Sequence, residues 1–176
     1  MAQIKRTGYG QVEPNHLSAQ KTGQIYAQLP AMDGDTPIAQ LEQGQFLKYD
    51  YANGCADVTG VGEWLLVYCE EKLYDERKWH HKDFVLKATD FTDGKIYPRL
   101  LRVESGDIFT TNTFGANTSD TAEVNGIDLN QGDYVKVGTD GFLTTGTAND
   151  EAPLFQVAKV YTMPDGQPGV KLQRVK

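Results

Sequence analysis

Thiols, histidines and methionines are scarce in this chain: among 176 residues there are two cysteines, Cys55 and Cys69, three histidines and three methionines. Two thiols are too few to staple a domain, so the expected state is a pair of small buried side chains. Long apolar stretches are missing too. The longest, Trp64 to Cys69, spans six residues, against the roughly 20 that a membrane helix needs. It suits one buried strand, and no membrane partner is expected. The opening MAQIKRTGYGQVEPNH has a basic pair but no continuous apolar segment, so it does not read as a secretory signal; synthesis in a cytoplasm is expected. Positive charge is in deficit: 17 Lys and Arg stand against 24 Asp and Glu, a net charge of −7. A phosphate backbone would meet a repulsive average field, so nucleic acid is not an expected partner.

The motifs of common chemistry are equally thin. No phosphate loop or serine elbow occurs, and Gly8 and Gly10 in TGYGQ precede no strand-helix unit. His80 and His81 are adjacent, so on a strand they point to opposite faces and do not share a metal. DFTDG at 90 to 94 has oxygen ligands but lacks the alternation and later glutamate of a calcium loop. Asp50, Asp57, Glu63, Glu70, Glu71, Asp75, Asp83, Asp90 and Asp93 are plentiful, yet nothing in the sequence singles out a catalytic pair. No cofactor, metal or catalytic residue is expected, and the chain reads as non-enzymatic.

Strands and turns make up most of what is present. From Gln45 onward the hydrophobic period is two, and EWLLVYCE at 63 to 70 is the most apolar strand. There Trp64, Leu66 and Tyr68 are expected on one side and Leu65, Val67 and Cys69 on the other. Further strands are predicted over 83–88, 95–103, 107–111, 134–137, 141–145, 154–162 and 169–175, with Asp140-Gly141 among the hairpin turns. Only 70–83 has helical offsets, and those without a strong cap. The fold class is mainly β: a small β-barrel or β-sandwich body.

The phrase QGDYVKVGTDGFLTTG at 131 to 146 has echoes in QGQFLKYDYANG and SGDIFTTNTFG. Each glycine, Gly44, Gly106 and Gly132, is expected to turn the chain into a strand. Asp107 and Asp133 are expected to hold nearby backbone amides.

Three regions are expected. Residues 1–40, rich in Gln, Pro and Gly, read as an extended N-terminal arm that lies on its own body or on a neighbour; 41–103 form a β-rich region with the possible short helix; and 104–176 form a small barrel-like region. As an arm, residues 2 to 38 are expected to be removable without loss of β structure. Its isolated apolar positions Tyr9, Val12, Ile25, Tyr26 and Leu29 are the expected partner-binding residues. Tyr51, Tyr74 and Trp79 stand beside charged residues as candidate surface anchors.

LEQGQFLKYDYANG at 41 to 54 and the tail GDYVKVGTDGFLTTGTANDEAPLFQVAKVYTMPDGQPGVKLQRV resemble stretches of the head decoration (auxiliary capsid, cement) proteins of tailed bacteriophages. The resemblance implies a structural protein of the virion that stabilises the capsid from its outer surface. Its partner would be the major capsid protein, with self-association, a trimer preferred, as a further implication. A tail or neck component, and a carbohydrate-binding or glycan-hydrolysing β protein, are the alternatives; the last requires an aromatic platform or an exposed carboxylate pair.

Overall fold

The computed structural model describes residues 2–13, 24–69, 85–115, 126–164 and 166–176. The helical offsets in 70–83, His80 and His81, Tyr74 and Trp79 lie outside these. In chain order the strands are β1 (Ala2–Ile4), β2 (Val12–Glu13), β3 (Ile25–Tyr26), β4 (Met32–Asp33), β5 (Thr36–Pro37), β6 (Gln40–Glu42), β7 (Phe46–Asp50), β8 (Cys55–Asp57) and β9 (Trp64–Val67). They continue with β10 (Val85–Lys87), β11 (Leu100–Leu101), β12 (Ile108–Thr111), β13 (Ile127–Leu129), β14 (Tyr134–Val137), β15 (Leu143–Gly146), β16 (Leu154–Thr162) and β17 (Pro168–Arg174). One turn of 3-10 helix, Ala88–Asp90, follows β10.

The mainly-β expectation holds. A five-stranded sheet runs β3-β11-β9-β7-β8 and a six-stranded sheet β15-β14-β16-β17-β12-β2, with two-stranded ribbons β1-β13, β10-β6 and β4-β5. All these strand pairs are antiparallel. No sheet closes on itself into a barrel among the described strands.

Alternation along β9 explains how the layers stack. Leu66, with Trp64 and Tyr68 beside it, joins the core shared with the six-stranded sheet, while Leu65, Val67 and Cys69 enter a second core on the opposite face. In the shared core Phe46 of β7 meets Phe109 of β12 and Phe155 of β16, with ring centroids 6.5 and 5.7 Å away. The five-stranded sheet is therefore covered on both faces. Its second face is closed by Ala31, Leu41 and Ile96, with Tyr26, Leu29 and Ile38 packed at the margin.

The recurrent glycine phrase is one local device used three times. Gly44, Gly106 and Gly132 have φ of +87, +96 and +93°. In each turn the residue after the glycine uses its side chain to accept the backbone N–H three positions earlier. Glu42 donates to Gln45 Oε1 at 3.4 Å, Glu104 to Asp107 Oδ2 at 2.7 Å and Asn130 to Asp133 Oδ2 at 2.7 Å. Each glycine N–H then donates across to Val67, Arg174 or Val157, whose own N–H donates back to the carbonyl of the residue after the glycine. This is a tight turn followed by a glycine bulge, which starts a strand and strengthens its twist.

The three sites differ in crowding. A Cβ added at Gly44 would lie 2.5 Å from Thr113 Oγ1 and 2.8 Å from Thr113 Cβ, whereas at Gly132 nothing lies within 4 Å. Gly132→Ala should therefore cost only the left-handed strain of about 1–2 kcal/mol, and Gly44→Ala should add about 1–3 kcal/mol of overpacking. Equal denaturation midpoints for the two variants would contradict this account.

The described parts of the N-terminal leader are built into the body. β1 pairs with β13, β2 lies on the edge of the six-stranded sheet and β3 on the edge of the five-stranded sheet. Ile4 and Val12 enter the shared core. Arg6 makes a 2.9 Å ion pair with Glu42, the two side chains being 1 and 3% exposed. The guanidinium also donates to the carbonyls of Gly8 and Gly115, and Glu42 Oε2 accepts the Gly10 N–H at 2.8 Å. Residues as isolated as Ile4 and Val12 need not supply a core of their own, because each completes one made elsewhere.

Candidate functional site

An apolar cleft of about 330 Å³ lies at the end of the five-stranded sheet, lined by Tyr26, Tyr49, Tyr51, Val61 and Leu65, with Asp50 and Glu63 at its border. Its position follows from strand geometry. Tyr49, next to last in β7, lies on the face of the second core, and Tyr51, the first residue past the strand, turns toward the same side. The rings stack with centroids 5.5 Å apart and planes 13° from parallel. Tyr26, on the edge strand β3, leans on Tyr49 at 5.0 Å and 46°. The Tyr49 hydroxyl accepts the Gln28 N–H at 3.0 Å, which ties the ladder to the segment following β3.

The turn carrying Tyr51 is held by Asp50. Its Oδ1 accepts the N–H groups of Ala52 and Asn53 at 2.9 and 3.1 Å, and its Oδ2 accepts the Asn53 side-chain amide at 2.8 Å. These donors, the Asn53 backbone first, hold the Asp50 carboxyl below the usual carboxylate range. A depressed value stabilises the turn above the ordinary aspartate pKa of about 3.9, and that contribution is lost as pH falls through the lower folded value. Amide resonances of Ala52 and Asn53 should titrate with a midpoint below the ordinary one. A midpoint at or above it would count against the Asp50 cap.

The facing wall is the loop after β8, in which Asp57 accepts the N–H groups of Thr59 and Gly60 and the Thr59 hydroxyl. That loop projects Val61 fully into solvent, at 100% exposure, opposite Tyr51 at 76%. At the rim, Glu63 is shared by Arg174 and Arg102, at 2.9 and 3.1 Å.

The partner residues expected from sequence divide into two groups. Tyr9 and Val12 are 5 and 6% exposed, and Tyr9 lies 5.7 Å below the Lys87 ammonium. In this structure both are packing residues, buried within the body. Ile25 is 41% exposed, Tyr26 belongs to the cleft and Leu29 is half-buried at the margin of the second core. Sequence reasoning named Tyr51 but missed Val61 and the ladder behind Tyr51. The spacing of Tyr49 and Tyr51 was a usable signal, whereas the arrival of Tyr26 on the same face depends on a distant pairing.

Both cysteines are buried. Burial, with help from Asp57 and Asp50, pushes the Cys55 thiol up, which disfavours the reactive thiolate. Asp93 is used locally, accepting the Lys95 N–H and the Tyr97 hydroxyl. Among the described residues no group of three or more His, Cys, Asp and Glu side chains could hold a metal ion, and no helix is long and apolar enough to cross a membrane. No protein-family model, curated protein or solved structure matches the chain.

Proposed function

We propose that this chain is a non-enzymatic structural protein of a tailed-phage virion that binds the outer surface of the capsid and stabilises it. The observation that carries the reading is the exposed pair Tyr51 and Val61 on a cleft whose floor, Leu65 and Tyr49, belongs to the second core. Aromatic side chains held on a rigid base are efficient anchors for a protein partner, because they bring large contact area with little side-chain freedom left to lose. The likeness of residues 41 to 54 and 130 to 176 to head decoration proteins supports the same reading, and it makes the major capsid protein the partner. The net charge of −7 accords with a partner other than nucleic acid.

One observation favours a second reading. The outer face of Tyr51 is an aromatic platform of the kind on which a sugar ring stacks, which keeps a carbohydrate-binding module in view. Against it, all four carboxylate oxygens of Asp50 and Glu63 beside the cleft already accept hydrogen bonds or ion-pair with protein donors, leaving few directional partners for sugar hydroxyls.

Imaging particles of the phage that encodes this chain, with antibody raised to the purified protein, tests the proposal. Label over the exterior of an icosahedral head is expected. Tyr51→Ala should lower occupancy at least tenfold while leaving thermal stability within about 0.5 kcal/mol, as for an exposed substitution. Label confined to tails or necks, or protein absent from particles, would reject the assignment.

A further inference from the structure

The cleft continues past its tyrosines. Asp50 lines it and also lines an adjoining hollow of about 530 Å³, bordered by Asp35, Asn53, Asp57, Thr59 and Lys95. Three carboxylates against one ammonium leave this hollow negative, in a chain that is itself negative overall. The cleft adds tyrosine faces, which are also electron-rich and attract cations within about 6 Å of the ring centre. The neighbouring acid Glu63 already serves Arg102 and Arg174, so the uncompensated charge near the rings sits at Asp50 and beyond it in the hollow.

An occupant matching both parts needs apolar surface for Leu65, Val61 and the ring faces, and positive charge a few ångströms away. We propose that cleft and hollow form one docking surface for an extended segment of a protein partner that carries an arginine or lysine beside an aliphatic side chain or proline. The inference rests on reading the cleft as a protein-docking surface and adds the chemistry of what docks. Arginine matches the pair of features better than lysine, because its planar, weakly hydrated guanidinium can lie on the Tyr51 face with its charge toward the negative hollow, an attraction that needs no free carboxylate oxygen on Asp50. A neutral or acidic segment would satisfy the rings and leave the hollow unmatched. A basic segment lacking apolar neighbours would do the reverse.

The test uses the full chain labelled with ¹⁵N and two blocked octapeptides. The first has a leucine-proline-arginine-leucine centre flanked by glycine and serine, and the second has glutamate in place of the arginine. Cellobiose serves as the sugar probe. The arginine peptide should shift the amides of residues 50–53 and 61–63 saturably, and the glutamate peptide should bind at least tenfold more weakly. Tyr51→Ala should abolish the shifts, and Asp35→Asn, at an exposed position, should weaken binding of the arginine peptide about threefold and reduce its salt dependence. Equal binding of the two peptides overturns the preference for a basic segment and leaves the protein-docking reading standing. No shift from either peptide at millimolar concentration, or shifts from cellobiose alone, overturns both.

Discussion

A variant lacking residues 2 to 13 should lose its cooperative unfolding transition. The deletion removes Ile4 and Val12 from the shared core, each worth about 1.5–3 kcal/mol on full burial. It also strips β2 from the edge of β12 and takes Arg6 from Glu42, whose side chain is only 3% exposed. Breaking a buried ion pair by removing one partner costs about 3–5 kcal/mol. Against a typical total stability of about 5–15 kcal/mol, little of the folded state remains. Far-ultraviolet circular dichroism during a thermal scan reads the result directly. A sharp transition retained by the truncated chain would show that this stretch is a removable arm.

Arg6→Met isolates the electrostatic part of that effect. The aliphatic stem is roughly conserved in volume, so most of the loss should come from leaving Glu42 without its guanidinium. A destabilisation of about 3–5 kcal/mol is expected, seen as a lower denaturant midpoint at unchanged slope. The pair lies at 1 and 3% exposure, where mobile ions do not reach, so the loss should persist in high salt. A change below about 1 kcal/mol would show that Glu42 finds other donors and that the pair does not fasten the N-terminal segment.

Much of the fold is legible in the sequence wherever the information is local. The period of two places β14 and β16 at the residues expected, and the alternation in β9 assigns Leu66 and Leu65 to opposite cores as expected. The acceptor roles of Asp107 and Asp133 follow from a short polar side chain next to a glycine in a tight turn. Over 95–103 the expected strand contracts to Leu100–Leu101, since proline at Pro98 offers no N–H to a ladder.

What the sequence hides is non-local. Ile4 pairs with Ile127, Val12 with Thr111 and Ile25 with Leu101. A lone apolar residue among Gln, Gly and Pro looks the same whether it covers its own core or a neighbour's surface, so periodicity could not choose between them. The cleft is partly legible for the same reason. Tyr49 and Tyr51 announce their common side, but Tyr26 joins them only through the β3-β11 pairing, and Val61 stands out only once the loop after β8 is seen to project it.

The pairing of β1 with β13 also has a consequence for how the chain is made. Ile4 leaves the ribosome 123 residues ahead of its partner Ile127, a delay of roughly 6–25 s at about 5–20 residues per second. During that interval β1 has no ladder to join, and until residue 155 is made the Phe46 side of the central sheet lacks the ring of Phe155. Completion of the protein therefore depends on its last third. A ribosome stalled before residue 155 would display an unfinished apolar face to whatever chaperone or sister chain is nearby, and yield in the cell should track elongation speed and nascent-chain protection as closely as it tracks the stability of the finished molecule.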